Sequence, residues 1–337
     1  MKEREKRRAV VLIPGVVNAF DTISGQRIAE AVNELGFKVD VCTLASCPVG
    51  EYDWCMLAAP PEAVLGVGDA RGGLVKMRAL RCRCKVVATT FPDMGKLLSL
   101  EKFLYDCEAI GVDAMLDLGF HDQCKHLPLK IRCKYQLIMA GLTPSEMRAL
   151  DEPECSDTKR TIPWAFVGHY SPDQVGVIGH LVRTVDPRGF IYIPHLVSTC
   201  PEKPSYPLNY RQLDALLRRT RYLIWWPHEG DCYSENERLR MALLAGAVPV
   251  KLLASSGPVS VPKPFDYLVM AVDAVGQMLA SLDFKQVRQR FRADFRQLKG
   301  LEVGLAEHLV ATGLMGPEEA RDRGVECLGL SRLPSAA

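Results

Sequence analysis

The sequence predicts an α/β protein of two domains in series, each built on a mostly parallel sheet. Three observations carry this. Short apolar runs alternate with amphipathic helical stretches along most of the chain, the pattern of strands linked by crossover helices. Residues 151–163 interrupt it with a polar segment, acidic and then basic, that carries two prolines and suits an exposed linker. The alternation then restarts. The 337 residues suit two domains of ordinary size, and 48% apolar with 24% charged residues are globular averages.

The N-terminal KEREKRR interleaves two Glu with its cations and reads as a solvated end. AVVLIPGVV is the first strand. It runs into the loop NAFDTISG, which carries Asn18, Asp21, Thr22, Ser24 and Gly25. A helix follows with Ile28, Val32 and Leu35 on one stripe. Gly36 ends it, and FKVDVCTL is the next strand. The loop lacks G-x-G-x-x-G, so no dinucleotide site is expected. Thr22 and Ser24 suit helix N-caps as well as ligand contacts. Further strands are expected at DWCMLAAP, CKVVATTF and DAMLDLGF, with a helix at LEKFLYDCEAIG.

After the linker, IPWAFVGHY is a strand leading to a Gly turn, DQVGVIGHLVRTV a helix, FIYIPHL a strand and YRQLDALLRRT a helix. Residues 221–252 are the richest stretch. The strand YLIWWP precedes the loop HEGDCYSENE, which packs four carboxylates, a His, a Cys, a Tyr and a Ser into ten residues. The helix ERLRMALLA ends at Gly246, and VPVKL is the next strand. Such a unit places its loop at the carboxyl edge of a parallel sheet, where open α/β sheets bind ligands. FDYLVMAV is a last strand before the helices AVGQMLASL and DFKQVRQRFRADFRQL. The latter has Phe284, Val287, Phe291 and Phe295 on one side and basic residues between them, a pattern for packing on the protein or resting on an anionic membrane surface.

A net charge of +2 gives no reason to propose a nucleic-acid partner. The apolar run after KEREKRR is interrupted by Pro14, Gly15 and Asn18. It is too short for a membrane span and lacks a signal-peptide cleavage site. The expected location is the cytoplasm, with peripheral membrane contact as an option. Of the 12 cysteines, only Cys82 and Cys84 form a tight pair. Without paired C-x2-C knuckles no structural zinc is expected, and the cysteines are expected to be thiols.

At Asn236-Glu237-Arg238, followed by Ala242-Leu243-Leu244-Ala245-Gly246-Ala247-Val248-Pro249-Val250, the sequence resembles the "S/T-E-K/R…AL-x-AG-x-VPV" string of GT-B glycosyltransferases. The string is closest to that of α-1,3-fucosyltransferases, with similar ones in exostosin-like and spore-protein-type enzymes. The FVG ending of the strand 162–170 fits the same family. The resemblance implies two Rossmann-like domains of the GT-B type: 1–155 on the acceptor side, 156–283 holding a nucleotide-sugar donor, and C-terminal helices 284–337 crossing back to the first domain.

It implies a glycosyltransferase, hexosyltransferase-like, that moves a sugar to an acceptor hydroxyl on a glycan, a lipid-linked or a small molecule. A sugar-nucleotide epimerase of the same fold and a non-catalytic nucleotide or sugar binder are the alternatives. The implied donor residues are Gly168, His169, His228, Glu229, Ser234, Glu235, Glu237 and Arg238. A helix N-terminus and the fork of Arg238 suit a diphosphate, and Glu237, with Glu235 as competitor, suits the ribose diol. Because the protein supplies positive charge at the departing diphosphate, no metal is expected, although His228, Glu229 and Asp231 are potential ligands.

Glu229 and Glu237 have the Glu-x7-Glu spacing of retaining enzymes. Counted back from Gly246, the second Glu of that motif falls at Met241, one helical turn away, through a remodelled loop or by accident. An inverting mechanism needs a base. Asp21, His121 and Asp122, in loops of the first domain, are the candidates by position; a retaining mechanism needs none.

Overall fold

A computed structural model describes residues 7–15, 19–66, 70–89, 97–119, 134–138, 141–151, 160–168, 172–193, 208–226, 236–253 and 264–323. The chain divides into two compact units, Met1–Pro144 with Lys299–Ala337, and Ser145–Leu298.

The first unit holds a six-stranded parallel sheet in the order β2-β1-β3-β4-β5-β6. Its strands are β1 (Arg8–Ile13), β2 (Lys38–Thr43), β3 (Glu51–Leu57), β4 (Arg81–Thr89), β5 (Ala114–Asp117) and β6 (Tyr135–Leu137). Its helices are α1 (Ala19–Glu34), α2 (Pro61–Leu65), α3 (Ala70–Ala79) and α4 (Leu97–Ala109). In β1 the continuous apolar run buries both faces. Ala9 and Val11 join Ile28 and Val32 of α1 and Leu35 just after it, while Val10 and Leu12 join Phe103 and Cys107 of α4. Gly25 sets the approach of α1, since a Cβ there would lie 2.4 Å from Ile13 Cγ2.

Helix α1 begins at Ala19, so Asp21, Thr22 and Ser24 are helical residues rather than loop residues. Thr22 and Ser24 therefore are not its N-caps. Strand β6 was not anticipated, and neither were α2 and α3.

The second unit holds a five-stranded parallel sheet in the order β11-β10-β9-β7-β8. Its strands are β7 (Ile162–Val167), β8 (Phe190–Tyr192), β9 (Thr220–Trp225), β10 (Val248–Leu253) and β11 (Val269–Ala271). The helices are α5 (Pro144–Asp151), which begins at the boundary, α6 (Pro172–Thr184), α7 (Tyr210–Arg218), α8 (Asn236–Ala245), α9 (Val275–Ser281) and α10 (Phe284–Arg296). The turn after α8 needs Gly246, whose φ is 71°. The segment expected to be one strand, FDYLVMAV, is a 3-10 turn over Phe265–Leu268 followed by the short β11.

Arg160 lies in the sequence segment that resembles a linker, yet it is only 4% exposed. It donates Nη1 to the carbonyls of Leu217 and Thr220, at 3.3 and 2.9 Å, and Nη2 to that of Ala245, at 2.9 Å. It therefore ties the end of α7 and the first residue of β9 to the last residue of α8.

Helix α10 belongs to the second unit. Its Phe291 and Phe295 pack on Phe265, with ring centroids 5.7 and 5.6 Å apart. The return to the first unit begins at Lys299, ahead of α11 (Leu301–Ala311) and α12 (Pro317–Asp322). Leu301 donates its amide to the carbonyl of Leu142 at 3.2 Å. Gly304 crosses the backbone of Ile138 so closely that a Cβ would lie 2.4 Å from its carbonyl oxygen. Further along α11, His308 stacks on Trp54 at 5.8 Å, and its Nδ1 lies 3.1 Å from Gln136 Oε1.

Candidate functional site

In the second unit, β7 and β9 are adjacent parallel strands, so their carboxyl ends lie side by side. Residue Gly168 follows β7, and α8 begins after β9. The ten-residue α8 turns its amino end to this edge. The positive end of a helix dipole is thus present where a sheet of this type takes its ligands.

The first turn of α8 holds the two residues that the motif singles out. Arg238 donates Nη1 to the carbonyl of Val167 at 2.6 Å. This ties α8 to the end of β7 and sets the guanidinium beside Gly168. The amide of Gly168 itself donates to the carbonyl of Tyr192 at 3.2 Å. A Cβ on Gly168 would lie 3.0 Å from the Phe166 ring and 3.5 Å from Gln174 Oε1, so a larger residue would crowd the strand end. Gln174, on the first turn of α6, is 2% exposed, and its Oε1 is buried with no hydrogen-bond partner among the described residues.

Glu237 is held by Arg240 one turn further along α8. Arg240 Nε and Nη2 both donate to Glu237 Oε2, at 2.8 and 2.5 Å, and Nη1 donates to Glu146 Oε1 at 2.7 Å. The side chains are 2% exposed for Arg240, 11% for Glu146 and 25% for Glu237. Burial disfavours the charge on Arg240, but Glu237 and Glu146 outweigh it and hold the guanidinium protonated.

The structure therefore brings Gly168, Glu237 and Arg238 to one sheet edge. His169, His228, Glu229, Ser234 and Glu235 lie outside the described residues, as do Asp231, His121 and Asp122. Asp21 is placed by its backbone on the first turn of α1. Sequence reasoning missed Glu146, Arg240 and Gln174. The spacing of Glu237 and Arg240 on one helix was a usable signal. Glu146 is far away in sequence and left none.

Among the described residues no group of three or more His, Cys, Asp or Glu could hold a metal ion, and no helix is long and apolar enough to cross a membrane.

No family model matches the chain, and no curated protein matches it by sequence. Solved structures match it by fold. An α-glucosyltransferase in complex with UDP and a 13-mer DNA containing an HMU base matches with a TM-score of 0.54 and 8% identity, over 91% of this chain and 99% of that one. An α-glucosyltransferase in complex with UDP-glucose and DNA containing an abasic site gives 0.54 and 9%, over 91% and 99%. An α1,3-fucosyltransferase structure gives 0.47 and 12%, over 93% and 92%. The α-glucosyltransferase match and the two parallel sheets agree on the architecture: two Rossmann-like units of the GT-B type, with the C-terminal segment returning to the first.

Proposed function

We propose that the chain is a glycosyltransferase that moves a sugar from a nucleotide-sugar donor to an acceptor hydroxyl, with the donor held by the second unit. The observation that carries the reading is the pairing of Glu237 and Arg238 on the first turn of α8, with Arg238 tied to the strand end at Val167 beside Gly168. The α-glucosyltransferases of similar fold have UDP or UDP-glucose bound, which supports a donor of that class. The narrower kinship with fucosyltransferases, and a hexosyl donor, rest on the string 236–250 alone.

In this reading the diphosphate meets the amino end of α8 and the guanidinium of Arg238. Glu237 accepts hydrogen bonds from the ribose diol. As the bond to the sugar breaks, negative charge grows on the β-phosphate. A fixed cation and a helix N-terminus stabilise that charge more than they stabilise the bound donor. No metal ion is then required. Gln174 Oε1 would be satisfied by a hydroxyl of the donor. His169, His228, Glu229, Ser234 and Glu235 complete the proposed donor set, and Asp21, His121 and Asp122 are the proposed sources of a base. The acceptor is proposed to be a glycan, a lipid-linked or a small molecule, and the location cytoplasmic.

The test is a thermal-shift screen against UDP, GDP, ADP and CMP, followed by donor turnover with an acceptor panel. At a hundredfold excess over its dissociation constant, a ligand of the native state adds about 2.7 kcal/mol. One nucleotide should raise the melting temperature, and Arg238→Ala should abolish the shift without unfolding the protein. Absence of any shift would overturn the donor site. Binding without turnover on any acceptor would leave a nucleotide binder instead of a transferase.

A further inference from the structure

Arg240 is not part of the string that suggests a donor site, yet its placement is tightly constrained. It is a buried cation between two carboxylates, one from its own helix and one from α5, and three of its N–H groups are committed to them. Two of those bonds converge on one atom, Glu237 Oε2. A fork that grips a single oxygen fixes the rotation of the carboxylate about its own axis, and so fixes where the other oxygen points. Glu146 then does for Arg240 what Arg240 does for Glu237, because the Nη1 bond at 2.7 Å anchors the far side of the guanidinium.

Stability alone is a poor explanation for this arrangement. Buried ion groups are often replaced by apolar residues of similar volume without loss of stability. The triad sits, moreover, under the first turn of α8, where a fixed carboxylate has a use.

We propose that Arg240, braced by Glu146, is a positioning residue that sets the Glu237 carboxylate for recognition of the ribose diol, and so determines preference for ribonucleotides over nucleotides lacking that diol. The inference rests on the donor-site reading and deepens it. Glu237 touches the ligand; Arg240 acts through Glu237 and touches none of it. Replacing the fork by a point charge keeps the charge but releases the rotation. The diol preference then falls, while contacts to the diphosphate stay.

The experiment measures dissociation constants by calorimetry for UDP, GDP, ADP and CMP and for the 2′,3′-dideoxy form of each. The wild-type protein should prefer the ribonucleotide it binds by about tenfold or more, the worth of a hydrogen bond to a charged group. Arg240→Lys should reduce the preference to about twofold with the affinity for the dideoxy form unchanged, since the lysine lacks the fork. If Arg240→Lys does not fold, Arg240→Met combined with Glu146→Gln removes the Arg240–Glu146 charge pair and the fork that grips Glu237; the same loss of preference is expected.

Equal weakening of both nucleotide forms, or an unchanged preference, would overturn the positioning role. Glu237→Ala separates this from the underlying reading. If that variant keeps the full preference, Glu237 is not the ribose ligand. If the wild-type protein binds no nucleotide, the donor-site reading falls first, and this inference with it.

Discussion

The sheet of the first unit is sealed on both faces by apolar side chains, and among the described residues Arg27 is its one fully buried cation. In the second unit Arg160, Arg240 and Lys251 are all buried. The two sheets are built alike, with parallel strands and crossover helices, so topology does not explain the difference. A buried charge is costly unless it is paired. Arg27 donates to the carbonyl of Gly141 at 2.6 Å, and Arg160 likewise serves backbone carbonyls; these are structural ties. Arg240 serves carboxylates, one of them on the first turn of a helix at the sheet's carboxyl edge. The first unit buries a charge as well, Asp117 at the end of β5, which accepts from Tyr135 Oη at 2.6 Å and from the amide of Gly119 at 2.8 Å; what sets the second unit apart is a buried cation, Arg240, that joins two carboxylates.

The largest effect should come from unpairing the buried ions. Arg240→Ala leaves Glu146 and Glu237 without their shared cation and should destabilise the second unit by about 3–5 kcal/mol, read by denaturant unfolding. A loss under about 1 kcal/mol would mean that the triad is solvated and that the two units do not differ in this way. In the first unit the matching lesion is apolar. Leu305 is fully buried in the cluster under α1, and Leu305→Ala should cost about 3 kcal/mol while leaving nucleotide affinity unchanged. A change in that affinity would break the assignment of packing to one unit and recognition to the other.

A third effect is acid sensitivity of the first unit. Burial lowers the pKa of His308 from 6.5 to about 4. The folded state therefore holds the ring neutral, while the unfolded chain takes up a proton as the pH falls through 6.5. Stability from this group is complete above that pH and is lost between about 6.5 and 4, on the order of 2 kcal/mol by pH 5. His308→Gln should flatten that part of the pH profile. The smallest effect is at the surface. Lys102 pairs with Glu62 and Asp106 at 2.8 and 2.7 Å while 59% exposed, and Lys102→Met should change stability by less than about 1 kcal/mol.

Much of the architecture was legible because it is written in short-range pattern. The stripe of Ile28, Val32 and Leu35, the AVVLI part of the strand expected over AVVLIPGVV, which ends at Ile13, and the stops at Gly36 and Gly246 are local signals. Strand β6 was not legible, since three half-buried residues make no pattern. FDYLVMAV was over-read, because an apolar run does not distinguish a 3-10 turn from a strand. Arg160 falls in a polar stretch that reads as an exposed linker, because a cation there gives no local sign of the three carbonyls it meets.

At the candidate site the same limit applies. Glu237 and Arg238 stood out by motif, and Arg240 was within reach by helix spacing. Glu146 was not, because the ion pair it makes is closed only by the fold. The assignment of DFKQVRQRFRADFRQL to the first domain likewise gave way to Phe265, whose contact with Phe291 and Phe295 keeps that helix in the second unit.

The central claim is that the nucleotide binds the carboxyl edge of the second sheet. Amide hydrogen exchange with and without the nucleotide that raises the melting temperature tests it most directly. Added protection is expected at Gly168 and in the first turn of α8, lost in Arg238→Ala, and none in β1 or the first turn of α1. Protection confined to the first unit, with Gly168 and α8 unchanged, would contradict it.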